Sequence, residues 1–236
     1  MRSEDFARFM KVSGGAAPVL AVAAVLALAA GLTLGLQVPP DIRQGDAVRI
    51  LFVHVPAAWT ALMAFGLMAV CSIFVLAGRR TLADIAAETA APLGAVFTAL
   101  GLITGSLWGK PMWGAWWVWD GRLTSFLFLF FLYLGLMALR GAFDDRARAA
   151  RATALLAVIG AVDLPVVVFS VQWWTTLHQG ASLLRKGGPA MAAVYLWPLL
   201  AMALGYTLLF LWLWTVRMRT VVLERRARDK ILAGQR

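Results

Sequence analysis

Apolar positions along this 236-residue chain come in long uninterrupted blocks separated by short polar links, with neither the alternation of a half-buried strand nor the one-sided stripe of a soluble helix. A hydrocarbon core needs about 20 residues of helix to cross it. Blocks near that length lie at Val19–Leu36, Val55–Ala77, Ala91–Leu107, Leu123–Leu139, Ala152–Val171 and Ala190–Trp214. The pattern predicts an all-α polytopic membrane protein of six transmembrane helices, folded as a single domain over residues 1–236. No internal repeat stands out, and no link is long enough to form a second domain.

Composition supports this class. Residues are 61% hydrophobic and 14% charged, with a mean hydropathy of +0.78, whereas a soluble domain carries roughly 25% charge. Basic residues favour cytoplasmic links. With the amino terminus inside, that side receives Arg2, Arg8 and Lys11, then Arg79 and Arg80, then Arg140 to Arg151, then the tail from Arg217 to Arg236, which together make 16 of the 22 basic residues. Both termini are therefore expected in the cytoplasm. The net charge of +10 is then a topology signal and calls for a lipid membrane, with no nucleic-acid partner. The first block is longer than the apolar core of a cleaved signal peptide and is expected to be a retained helix.

The lone Cys71 lies inside the second block, which excludes a disulfide framework, a C-x-x-C pair and a C-x-x-C-H attachment site. Chemistry is expected at the non-cytoplasmic links, which hold both histidines and seven of the eleven tryptophans. Five of these tryptophans fall between Trp108 and Asp120, in WGKPMWGAWWVWD. Each indole buries about 150–250 Å², so the segment needs a flat apolar cover, either lipid or a ligand. Read as a helix, Trp113, Trp116, Trp117 and Asp120 share one face, with Trp108 and Trp119 away from its centre, although Gly109, Pro111 and Gly114 make its start irregular. An interfacial aromatic belt is the plain alternative, but a belt would spread over both surfaces.

His54 precedes Pro56, which suits the first turn of the second helix. His178 follows the fifth block, near Gly180, at the same depth. Two readings fit the pair. Each imidazole hydrogen-bonds at the headgroup level, or both ligate one metal. Two imidazoles are too few for zinc, which wants about four ligands, but they suffice for haem iron, because the porphyrin supplies the remaining nitrogens. Lys110, Arg122, Arg185 and Lys186 lie in the same region and suit either propionates or ordinary flanking positions. Asp120 is open to a loop-building role or a ligand contact. Asp163 lies within the fifth block, just ahead of Pro165, which would kink the helix and free a carbonyl near Ala161. A protonated Asp163 serving those backbone groups is the favoured reading, with a partner contact or proton relay as alternatives.

The stretch WGKPMWGAWWVWDGRLTS resembles the tryptophan-rich WWD signature of haem-handling proteins in cytochrome c maturation. With HVPAAW, WWTTLHQG and six spans in the same order, the chain resembles the CcmC family from its first span to its sixth. That resemblance implies binding of haem b at the outer face of the bacterial cytoplasmic (inner) membrane, facing the periplasm. It further implies delivery to CcmE, a haem chaperone that captures the group covalently through its own histidine. His54 and His178 match the family's axial ligands, and Trp108, Trp113, Trp116, Trp117, Trp119 and Asp120 match its WWD segment. Partners implied are CcmE, the ATP-binding-cassette subunits CcmA and CcmB, and CcmD. The chain has no G-x-x-x-x-G-K-[ST] of its own, and the resemblance implies a haem-presenting protein rather than an enzyme. Two rival functions are a cytochrome b electron-transfer subunit, which would hold both ligands inside its spans, and a small-molecule permease, which would need broken or polar helices near the midplane.

Overall fold

A computed structural model describes residues 3–78, 81–178, 180 and 187–234. Arg2, Arg79, Arg80, Arg185, Lys186 and Arg236, which entered the charge and propionate arguments, lie outside the described residues. The helices are α1 (Ser3–Gln37), α2 (Leu51–Gly78), α3 (Thr81–Trp113), α4 (Gly121–Gly141), α5 (Arg146–Gly160), α6 (Asp163–Trp173) and α7 (Ala193–Gly234). A 3-10 turn at Asp46–Ile50 leads into α2. Six runs are long and apolar enough to cross a membrane, with α5 and α6 together forming the fifth.

The α2–α3 pair is the axis of the bundle. On one side α4 and α5 pack against it, with α6 lying mainly on α4, and on the other α7, which carries α1 along its outer flank. Phe65, Leu129, Tyr133 and Phe210 are fully buried between these layers. A glycine makes the closest approach possible, since a Cβ on Gly94 would stand 2.1 Å from the Tyr133 ring. Tyr133 passes over it and donates its hydroxyl to the Ala61 carbonyl at 2.8 Å, which ties α4 to α2. Outward-facing apolar residues such as Val19 (67% exposed) and Val96 (65% exposed) suit lipid rather than water.

The helices outrun their apolar blocks. α1 starts at Ser3 and α7 continues to Gly234, because hydropathy marks only the lipid-immersed part of a helix whose hydrogen bonding continues beyond it. Pro56 also lies deeper than a first-turn position, because the 3-10 turn starts the helical run upstream at Asp46. The fifth span breaks where Pro165 predicts. Pro165 has no N–H for the Ala161 carbonyl, and that carbonyl instead accepts Leu164 N–H at 3.1 Å in a tight turn. The Asp163 carboxyl therefore does not serve these groups as expected. It is buried, and its Oδ2 has no hydrogen-bond partner among the described residues.

At the end of the bundle where α1 begins and α7 ends, two carboxylates and two guanidinium groups neutralise one another. Arg140 on α4 reaches Asp84 at 2.8 Å and Glu88 at 2.9 Å, both on α3. Arg225 on α7 contacts the same two carboxylates, reaching Asp84 at 3.0 Å. The network clamps three helices together. The opposite end holds the histidines.

Candidate functional site

His54 stands on the first turn of α2 and is buried against α3. Gly105 gives the ring its space, since a Cβ there would lie 3.0 Å from His54 Cε1. The Nδ1 nitrogen is 3.0 Å from the Gly101 carbonyl and 3.2 Å from Thr104 Oγ1. A carbonyl only accepts, so Nδ1 carries the proton. Thr104 gives its own hydroxyl hydrogen to the Leu100 carbonyl at 2.7 Å and offers a lone pair to the imidazole. The tautomer this fixes leaves Nε2 with a free lone pair, and such an outer hydrogen bond is the usual companion of a metal-ligating histidine.

His178 reaches the same place from the connection after α6. Its backbone N–H donates to Thr176 Oγ1 at 3.0 Å, and Thr176 in turn donates its hydroxyl to Asp120 Oδ2. The other carboxylate oxygen, Oδ1, accepts Leu123 N–H at 2.8 Å and caps α4. Asp120 is thus the knot joining the tryptophan segment, the start of α4 and the His178 loop. Burial, followed by the nearby Arg122 and His54 and opposed by Asp120, pushes the His178 imidazole down to about 4. Near neutral pH it is an uncharged base.

The two imidazole ring centres lie 6.3 Å apart, with planes 26° from parallel. Two imidazoles bonded at about 2 Å to opposite faces of one metal hold their ring centres roughly 6–6.5 Å apart. The observed spacing fits that arrangement. Trp108 stands edge-on to His54 at 5.7 Å and Trp113 edge-on to His178 at 5.7 Å, so one indole borders each imidazole. No group of three or more His, Cys, Asp or Glu side chains lies close enough to hold a bare metal ion among the described residues.

The tryptophan segment is not the helix anticipated. α3 ends at Trp113, and residues 114–120 are non-helical. Gly114 adopts a left-handed φ of 75° and sends its N–H back to the Lys110 carbonyl at 3.0 Å, closing the helix just past Pro111. Trp113, Trp116, Trp117 and Asp120 therefore do not share a helical face. Trp116 and Trp119 are exposed, at 56% and 75%. Trp117 packs edge-on to Trp119 at 5.5 Å, and its Nε1 is buried without a hydrogen-bond partner among the described residues. An orphaned donor beside the aromatic shelf suits a polar atom brought in by a ligand. Lys110 donates to the Gly114 carbonyl at 3.0 Å and lies 5.9 Å from the Trp116 ring centre.

Several contributors escaped the sequence reading. Gln44 accepts the Trp108 indole N–H at 3.0 Å and steadies that ring. Thr104 and Thr176 act on the histidines from α3 and the α6 connection. The signal for the α3 contribution was present in Gly101 and Gly105, two small residues one turn apart.

The family model described as "Heme exporter protein C" (CcmC) matches residues 2–233. Curated relatives of that name include a Bradyrhizobium diazoefficiens protein, 52% identical over 222 residues that cover 94% of this chain and 84% of that protein. A Paracoccus denitrificans relative is 45% identical over 220 residues, covering 93% and 91%. An Escherichia coli K12 relative is 44% identical over 218 residues, covering 92% and 87%. A match over nearly the whole length, on a six-span helical bundle, establishes that this chain belongs to the heme exporter protein C (CcmC) family.

Proposed function

We propose that this protein holds haem b between His54 and His178 at the periplasmic face of the bacterial inner membrane and presents it to the chaperone CcmE during cytochrome c maturation. CcmA, CcmB and CcmD are the further partners this role implies. The observation that carries the reading is the 6.3 Å spacing of two imidazoles, one of them held with its Nε2 lone pair free by the Gly101 carbonyl.

Each residue has a physical task in this reading. His54 and His178 supply the axial nitrogens. Trp108 and Trp113 wall the imidazoles and exclude water, which strengthens polar contacts inside the site. Trp117 offers a donor, and the exposed Trp116 and Trp119 extend the apolar shelf toward lipid or partner. Asp120 sets the height of the His178 loop through Thr176. Among the described residues no side chain is arranged as a nucleophile with a base, which supports a positioning role for the chain, with bond formation left to the chaperone and the cargo. One ligand rides on a helix and the other on a connection. That asymmetry suits release better than the permanent retention an electron-transfer subunit needs, and the span broken at Asp163 offers a permease little polar surface among the described residues.

The test is the visible spectrum of the full-length protein purified after co-expression with CcmE, as wild type, His54→Ala and His178→Ala. A six-coordinate low-spin haem spectrum in the wild type, converted or abolished by each substitution, supports the proposal. A haem-free wild type, or haem indifferent to both substitutions, overturns it.

A further inference from the structure

The end of the bundle opposite the histidines contains a cavity of about 240 Å³, far beyond the roughly 10–15 Å³ a single water needs. Its polar wall carries Arg146 and Arg151 from α5 and Arg225 and Arg226 from α7, against only Asp84 and Asp229. The charges there do not cancel. Asp84 is already committed to Arg140 and Arg225, within a network that Glu88 brings to neutrality. Arg226 lies 5.5 Å from the Phe6 ring centre, a contact that leaves its charge uncompensated. Arg146 and Arg151 have neither an ion pair nor a side-chain hydrogen bond among the described residues, and Asp229 is the one remaining carboxylate on the wall. Three guanidinium groups thus face one carboxylate, in a cavity whose remaining wall includes the apolar Val75, Ala150 and Val222.

The cavity lies among helix ends, the level at which lipid headgroups are expected. Val75 is in the last turn of α2, Thr81 opens α3 and Arg146 opens α5. We infer that it binds the phosphate ester of a net-anionic membrane lipid, with Arg146 and Arg151 on one side of the headgroup and Arg226 on the other. A guanidinium fork matches phosphate oxygens in pairs, and basic pockets between membrane helices suit such headgroups. Free phosphate would satisfy the arginines equally. A lipid also accounts for the apolar wall and for the exposed Leu76 and Leu223, next in sequence to Val75 and Val222, because its acyl chains need an apolar surface at the same level.

Native mass spectrometry of the full-length protein released from detergent tests the inference, with phosphatidylglycerol, phosphatidylcholine or inorganic phosphate added. The wild type is expected to retain phosphatidylglycerol and not phosphatidylcholine. The doubly substituted R146Q/R151Q variant is expected to bind phosphatidylglycerol about tenfold or more weakly, as befits the loss of charge-assisted contacts. Both are expected to keep the same haem spectrum, which separates this site from the histidine site. Wild-type thermal unfolding gives an arm that needs no variant, since a ligand bound only to the folded state raises the midpoint. Phosphatidylglycerol should raise it and phosphatidylcholine should not. Equal retention of the two lipids, or full retention by R146Q/R151Q, overturns the proposal. Stabilisation by millimolar phosphate with no lipid retained overturns the lipid assignment in favour of a soluble anion.

Discussion

The end of the bundle that holds His54 and His178 and the end that holds Asp84 and Arg225 both bury polar side chains, and they satisfy them by opposite means. At the histidine end the groups are neutral, and their partners are backbone carbonyls, threonine hydroxyls and one capping carboxylate. At the arginine end, full charges on α3, α4 and α7 compensate one another directly. The first arrangement holds His54 with its Nε2 lone pair unused, beside the ring of His178. The second spends its charges on one another and holds helices together. On the proposed reading, haem binding depends on the first end and the stability of the bundle on the second, so substitutions should separate them.

The largest effect is expected from Asp84→Ala, which leaves Arg140 and Arg225 with Glu88 alone. Asp84 is 10% exposed and Arg140 is 17% exposed, so the cost should approach the roughly 3–5 kcal/mol of breaking a buried ion pair. Thermal unfolding in detergent should show a large drop, while haem bound to the folded fraction keeps the wild-type spectrum. A changed spectrum would show that the two ends are coupled. Thr176→Val comes next. It removes both the hydroxyl donated to Asp120 and the acceptor for His178 N–H, at about 1–2 kcal/mol for two hydrogen bonds. Haem retention should fall, and the unfolding midpoint should shift less than for Asp84→Ala. The reverse ranking would place Thr176 with the stabilising elements. Thr104→Val should be mildest, because the Gly101 carbonyl still accepts from Nδ1. The expected loss is under about 1 kcal/mol, read by haem titration as a several-fold weakening with an unchanged melting profile. A loss as deep as that of His54→Ala would make Thr104, rather than Gly101, the group that orients the ring.

The same contrast explains what was legible in the sequence. Six apolar blocks report on lipid contact, a property of each segment by itself, so the six spans and the break at Pro165 follow from the chain directly. His54, His178 and the WWD stretch stand out because their residue types are scarce or crowded. The partners that orient them do not stand out. Thr104 is separated from His54 by 50 positions and Thr176 from Asp120 by 56, and a threonine in an apolar helix is ordinary until packing shows what faces it. The tryptophan segment was half legible. Gly109, Pro111 and Gly114 signal irregularity, but its spacing also satisfies a helical period, and only the structure shows α3 running through Pro111 to Trp113 and stopping at a left-handed Gly114 before that period can be realised.

The length of α7 has a mechanical consequence. Its 42 residues extend about 63 Å at 1.5 Å per residue, roughly twice the 30 Å hydrocarbon thickness. The only proline along it is Pro198, close to its start, so the rest behaves as one stiff rod. Arg225 fastens this rod to α3 well past its midpoint, and Trp214 Nε1 fastens it again at the Ala86 carbonyl, 2.9 Å away. Two attachments along a stiff member remove its freedom to swing relative to α3. A load applied to the tail is therefore passed to the first turns of α3, at Asp84, Ala86 and Glu88, the same helix whose far end supports His54.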